Sequence, residues 1–204
     1  MIKNYIFDFG KVLVEFDPDY MTAAYAVDPI QAKVLAPVVF DRLYWDPLDA
    51  GTITDVQVKE AFALRLPAQL LDTACRIYDN WQAHLPPIPG MRELLKKLKN
   101  EGAKLYLLSN ISIGFSQKYK QVPDLTELFS LFDGLVFSGP LGMVKPSRQI
   151  FEYVLQRYTL LPEETVFIDD SPVNVAGAEA VGLHACLFTG DAQKLERQLR
   201  NIQK

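Results

Sequence analysis

An α/β fold is predicted for this chain: a parallel sheet wound on both faces by helices, with one all-helical insertion. Three observations lead there. Short apolar runs alternate with segments of helical period over most of the length. The runs are continuously apolar, as strands buried on both faces of a parallel sheet must be. One stretch, from about residue 17 to residue 84, breaks the alternation and reads as helices only.

Taken in order, Tyr5-Ile6-Phe7 reads as the first strand and Leu105-Tyr106-Leu107-Leu108 as the second. Leu135-Val136-Phe137, Val166-Phe167-Ile168 and Ala185-Cys186-Leu187-Phe188 follow. Between strands, Met91, Leu94, Leu95 and Leu98 fall at i, i+3, i+4 and i+7, one apolar helical stripe stopped by Gly102. Ser147 is placed to cap a helix carrying Ile150, Phe151, Val154 and Leu155. Ser171-Pro172 reads as a cap followed by proline at the first helical position, with Gly182 near the end. The insertion shows helical patterns over 30–39, 55–66 and 70–83. It is bounded by Phe16-Asp17-Pro18 and by Leu85-Pro86-Pro87-Ile88-Pro89-Gly90, joints expected of a unit hinged onto the core. The expected division is a core of 1–16 with 87–204 and a helical cap of 17–86.

Size and composition narrow the function. A chain of 204 residues, 49% of them hydrophobic, has room for one core domain plus an insert and is not disordered. A net charge of −4 gives no broad basic face for nucleic acid, so any phosphate must be held locally. Cys75 and Cys186 sit among apolar neighbours without metal-ligand spacing, and His84 and His184 are isolated. A thiol or histidine nucleophile is therefore not expected. The opening lacks the charged and apolar regions of a leader, and no apolar run approaches the ~20 residues that span a bilayer. The cytoplasm is the expected location, with a small metabolite rather than a membrane or nucleic acid as partner.

In open parallel sheets, ligands bind beyond the carboxyl ends of the strands. Asp8 stands there after the first strand, Ser109-Asn110 after the second and Asp169-Asp170 after the fourth, while Lys145 precedes a helix start. A single polar residue at a strand end is only where the chain reaches water. Together these residues form a chemically coherent set. Asp8 suits a nucleophile that forms an acyl phosphate. Its charge repels phosphate, so a divalent cation is needed, and Asp8, Asp169 and Asp170 offer magnesium the hard oxygens it prefers. Lys145 offsets negative charge and can hold the transferring phosphoryl oxygens. Ser109 and Asn110 are expected to donate neutral hydrogen bonds to phosphate.

Four segments carry a resemblance: Ile6-Phe7-Asp8-Phe9-Gly10-Lys11-Val12-Leu13, Leu107-Leu108-Ser109-Asn110, Met143-Val144-Lys145-Pro146-Ser147, and Phe167-Ile168-Asp169-Asp170-Ser171-Pro172-Val173-Asn174. They resemble the four motifs of the haloacid dehalogenase-like hydrolase superfamily, over the whole chain and with a cap between the first two. The resemblance implies a Rossmann-like core with Asp8 as nucleophile and Ser109 and Lys145 on phosphate. It also implies magnesium on Asp8, Asp169, Asp170 and the main-chain carbonyl of Gly10, with Asn174 orienting its neighbours.

One position departs from that pattern. Most phosphatases of the superfamily carry a second aspartate two residues after the nucleophile, and here that residue is Gly10. General acid and base help is commonly worth ~10²–10⁴-fold in rate. Three readings follow: a phosphate-binding protein with little turnover, a metal-independent 2-haloacid dehalogenase, or a phosphatase for an ester that leaves easily. The retained Asp169-Asp170 pair favours the last. The Asp-Phe-Gly-Lys-Val run resembles the branch that includes α-D-glucose-1-phosphate phosphatase, which makes a sugar 1-phosphate the narrower expectation. A phospho-accepting signalling domain is opposed by the order Asp, Ser, Lys, Asp-Asp and by the insertion. In the cap, Arg42, Tyr44 and Trp45 are the candidate substrate readers, with Trp45 expected to stack on a sugar ring or else to pack within the cap.

Overall fold

In the computed structural model, which describes residues 1–202, five parallel strands form one sheet in the order β3-β2-β1-β4-β5. The strands are β1 (Asn4–Phe7), β2 (Lys104–Ser109), β3 (Gly134–Phe137), β4 (Thr165–Asp169) and β5 (His184–Leu187). Each contains its predicted apolar run except that β5 closes at Leu187, one residue before Phe188. Side chains alternate between two buried faces. Tyr5, Phe7, Leu105, Leu107, Val166 and Ile168 enter one core, and Ile6, Tyr106, Leu108 and Phe167 the other.

The order has a functional consequence. From β1 the chain builds outward through β2 and β3, then returns to the far side of β1 for β4 and β5. The reversal lies between β1 and β4, where open α/β sheets leave a crevice at their carboxyl ends. Phe7 is level with Leu107 on β2 and with Ile168 on β4, and the Asp8 amide donates to the Ile168 carbonyl at 2.9 Å. This register delivers Asp8, Asp169 and the end of β2 to one edge.

The core helices are α6 (Met91–Asn100), α7 (Ile113–Lys118), α8 (Pro123–Phe129), α9 (Ser138–Leu141), α10 (Arg148–Arg157), α11 (Pro172–Glu179) and α12 (Ala192–Ile202), numbered after those of the insertion. The predicted stripe of α6 is fully buried, and the Ser147 hydroxyl caps α10 by accepting from the Gln149 amide. Ser171 occupies the N-cap position of α11 without a side-chain cap; its amide instead donates to Asp169.

Among the described residues the insertion holds α1 (Pro18–Ala23), α2 (Pro29–Val39), α3 (Arg42–Asp49), α4 (Asp55–Arg65) and α5 (Ala68–Asn80), with a 3₁₀ turn over Trp81–Ala83. The sequence pattern anticipates α2, α4 and α5. It misses the short helices α1 and α3. Pro47 removes one intrahelical donor, while the Asp41 side chain caps the start by accepting from the Leu43 amide.

The joints are tied together as they cross. The Glu15 amide donates to the Pro86 carbonyl at 2.7 Å, and the Ile88 amide to the Leu13 carbonyl at 3.0 Å. The inserted helices also pack onto the sheet-bearing part of the chain. Phe16 meets Phe40, Trp45 and Trp81 edge-on, and Trp81 stacks on Phe115 of α7 with ring centroids 5.5 Å apart. No described helix is long and apolar enough to cross a membrane.

Candidate active site

The centre of the site is a buried cation between carboxylates. The Lys145 Nζ lies 2.7 Å from Asp8 Oδ1 and 2.7 Å from Asp169 Oδ2, with its side chain only 1% exposed. An ammonium taken that far from water persists only when paired. Burial works against the charged form of Lys145, but Asp8 and Asp169 outweigh it and hold its pKa above the ordinary value. Burial in turn pushes the Asp8 carboxyl up to about 6 against the pull of Lys145, and the Asp169 charge adds to the rise.

Asp169 is fully buried and its oxygens are already engaged. Oδ1 accepts from the Ser171 amide at 2.8 Å and from Asn174 Nδ2 at 3.0 Å. Oδ2 accepts from Lys145 and, at 3.2 Å, from Asn174. Asn174 thus orients Asp169, the role expected of it. Asp170 is half-buried, and its carboxyl is raised by burial and by the Asp169 charge, with the Lys11 ammonium acting the other way.

Ligand oxygens of Asp8, Asp169 and Asp170 come within 4.8 Å of one another. A compact set of hard oxygen donors fits magnesium, and it offers none of the nitrogen or sulfur that zinc or copper favour. Ser109 ends β2, nearly buried, and its hydroxyl has no hydrogen-bond partner among the described residues.

One expected role is corrected, that of Asn110, and for Trp45 and Tyr44 the packing alternative holds over the substrate contact. Asn110 does not hold its amide toward a phosphate: Nδ2 donates to the Lys145 carbonyl at 3.0 Å, and Oδ1 accepts from the Lys145 amide at 2.8 Å. It is a two-point clamp that fixes the lysine backbone, because an amide carries the donor and acceptor a peptide unit needs. Trp45 is buried within the insertion, its Nε1 donating to the Val39 carbonyl at 2.6 Å and its ring against Phe16, Phe40 and Trp81. A ring so enclosed has no face left for a sugar. Tyr44 packs against the Arg65 guanidinium, 5.6 Å from the ring centroid, rather than standing over the site. Arg42 remains exposed on α3, paired with Asp46 at 2.6 Å. Lys11 adopts a left-handed backbone, φ 59°, and its side chain is exposed.

Sequence reasoning missed Asp49. This last residue of α3 is buried, 8% exposed, and no hydrogen bond or ion pair reaches its carboxyl from a described residue. Burial pushes the carboxyl up to about 8, with smaller influences from Arg42, Asp46, Asp8 and Lys145. Nothing local in Trp45-Asp46-Pro47-Leu48-Asp49 separates it from an ordinary surface aspartate.

A family model for the haloacid dehalogenase-like hydrolases matches residues 2–182. The chain belongs to that family. Drimenol cyclase drtB of Aspergillus calidoustus is 28% identical over 211 residues, which cover 99% of this chain but only 37% of that protein. The sesquiterpene phosphatase astK of Aspergillus oryzae is 29% identical over 183 residues, covering 89% of this chain and 87% of that one. Among solved structures, the family enzyme bt-2542 of Bacteroides thetaiotaomicron, in complex with magnesium and inorganic phosphate, superposes with a TM-score of 0.71. It is 23% identical, covers 96% of this chain and 99% of its own, and shows the shared fold.

Proposed function

We propose that this hydrolase is a magnesium-dependent phosphatase that cleaves a small phosphomonoester through a phospho-aspartate at Asp8. One observation carries the reading: Lys145 bridges Asp8 and Asp169 at the topological switch of the sheet, with Asp170 alongside. Acidic and basic groups so concentrated suit a dianionic substrate brought in with a cation. Magnesium would be held by Asp8, Asp170 and the Gly10 carbonyl. Asp169, with its oxygens engaged, would orient Lys145 and add charge. When bound, the ion neutralises the repulsion between the Asp8 carboxylate and the phosphate.

The chain's own groups divide the remaining work. Lys145 steadies the phosphoryl oxygens, the free Ser109 hydroxyl donates to one of them, and Asn110 keeps Lys145 in place. Similarity to a named phosphatase along nearly its whole length supports phosphate over a carbon–halogen substrate, as does the Asp169-Asp170 pair. We take residues 17–86 as the cap that covers the site, with Arg42 as its substrate reader in place of Trp45. Because Gly10 brings no carboxyl to help the leaving group, a sugar 1-phosphate is the proposed substrate; its anomeric oxygen leaves more readily than an ordinary alcohol.

Phosphate release from glucose 1-phosphate and glucose 6-phosphate, with and without magnesium, tests this. Magnesium-dependent release that favours the 1-phosphate is expected. Equal cleavage of both esters would remove the sugar 1-phosphate assignment, and release unaffected by chelation would remove the metal.

A further inference from the structure

Asp49 is a buried carboxyl with no described partner, and its backbone is anchored to the loops that carry the site. The Ser138 hydroxyl, at the start of α9, donates to the Asp49 carbonyl at 2.6 Å and accepts from the Ile111 amide at 2.8 Å. Ile111 lies two residues beyond Ser109, and the chain leaving α9 runs through Gly142 to Lys145. Two residues after Asp49 the contact tightens further. A Cβ added to Gly51 would stand 2.4 Å from the Gly139 carbonyl oxygen, and the φ of 69° there also favours glycine. The C-terminal end of α3 is thus seated on α9, whose Ser138 also holds the loop after β2. Ser138 directly follows β3 and Ile111 lies just past β2, so Asp49 sits at the carboxyl edge of the sheet, the edge that carries the site.

Taking the site as the phosphatase proposed above, we infer that Asp49 supplies, from the cap, the proton that Gly10 cannot. In the first half-reaction an Asp8 oxygen bonds to phosphorus and the bond from phosphorus to the ester oxygen breaks. The electron pair stays on the leaving oxygen, which takes the proton of Asp49 and departs as the alcohol. In the second, the Asp49 carboxylate takes a proton from water as the water oxygen bonds to phosphorus. The bond from phosphorus to Asp8 then breaks, returning the carboxylate, inorganic phosphate and protonated Asp49.

A donor has to hold its proton at working pH. Burial favours that at Asp49. The groups acting on it are Asp8 after β1, Lys145 before α10, and Arg42 and Asp46 on its own helix, of mixed sign. With Asp49 in this role a sugar 1-phosphate stays the favoured ester, since its oxygen leaves readily and depends least on the donor, while alkyl phosphates are slower and depend on it most.

The test compares Asp49→Asn with the unaltered protein on a series from p-nitrophenyl phosphate through phenyl phosphate to an alkyl phosphate, with magnesium, reading kcat/KM. That ratio covers the step in which the leaving group departs. The loss is expected to steepen along the series, reaching ~10²–10⁴-fold for the alkyl ester and staying below about tenfold for p-nitrophenyl phosphate. The unaltered protein should lose activity on the alkyl ester as pH rises through the Asp49 range, and the variant should lack that limb. A uniform loss across the series, or none, overturns the role of Asp49, and a melting temperature no lower than that of the unaltered protein keeps the uniform case from being misfolding. If the unaltered protein cleaves no ester at all, the phosphatase reading itself has failed.

Discussion

Replacing Lys145 by methionine removes the ammonium while keeping most of the side-chain volume. The structure sets the cost. Lys145 is shared by two carboxylates at 2.7 Å each, and the side chains of Lys145, Asp8 and Asp169 are 1%, 13% and 0% exposed. Breaking a buried pair by removing one partner typically costs about 3–5 kcal/mol, since the remaining charge stays out of water. Here the cost has a ceiling. Asp8 is already raised to about 6, and without the lysine it would take up a proton near neutrality, relieving part of the repulsion. A loss of about 3 kcal/mol is therefore expected at pH 7, a large share of the ~5–15 kcal/mol that holds a typical domain together. The pairing with Asp8 requires its ionised carboxylate, so the gap should be fullest above about pH 6 and narrow as pH falls through that value. Magnesium, a replacement cation, should also narrow it. Urea unfolding followed by far-ultraviolet circular dichroism reads this directly, whereas Trp45 and Trp81 both lie in the insertion and report it selectively. A loss below about 1 kcal/mol, or one that does not shrink at low pH, would refute the claim that this ion pair is buried and mutual.

Other perturbations separate the remaining roles. Asp49→Asn should raise the melting temperature near pH 8 and have little effect near pH 4. A carboxyl raised on folding costs stability progressively as pH climbs from 3.8 toward about 8, and the amide carries no such cost; a pH series of thermal melts checks this. Asn110→Ala should lower kcat at least tenfold and destabilise by about 1–3 kcal/mol, since two hydrogen bonds to the Lys145 backbone are lost together. Steady-state kinetics with urea unfolding measures both. Gly10→Asp should fold normally, because an added Cβ meets nothing nearer than Phe16 Cβ at 4.0 Å. It should raise turnover on alkyl phosphates most in the Asp49→Asn background, a comparison made by phosphate release.

The parts legible in the sequence are those where local pattern and tertiary role coincide. A strand buried on both faces must be continuously apolar, so β1 to β4 stand out, and a residue just past such a strand reaches the crevice by geometry alone. Asp8, Ser109 and Asp169 were findable for that reason, and Lys145 from its place before a helix start in one of the four motif segments. Asn110 was found but given the wrong partner, because a carboxamide serves a phosphate and a backbone equally well until its neighbours are known. Trp45 reads the same whether its ring faces a ligand or Phe16, and only burial decides. Asp49 was invisible because its importance comes from two contacts distant in sequence: Ser138 holding its carbonyl, and the Gly51–Gly139 approach that seats α3. Helix α3 is short, and the donor lost at Pro47 is tolerated near its end.

The central claim is covalent catalysis at Asp8, and trapping the intermediate tests it most directly. Protein turning over p-nitrophenyl phosphate with magnesium is quenched in acid and digested, and the peptide bearing Asp8 is weighed. The expected peptide is heavier by one phosphoryl group, is converted by hydroxylamine to the aspartyl hydroxamate with loss of phosphate, and is absent from Asp8→Asn, which should release no phosphate. Phosphate release by Asp8→Asn at the unaltered rate, or a phosphoryl group on some other residue, would contradict it.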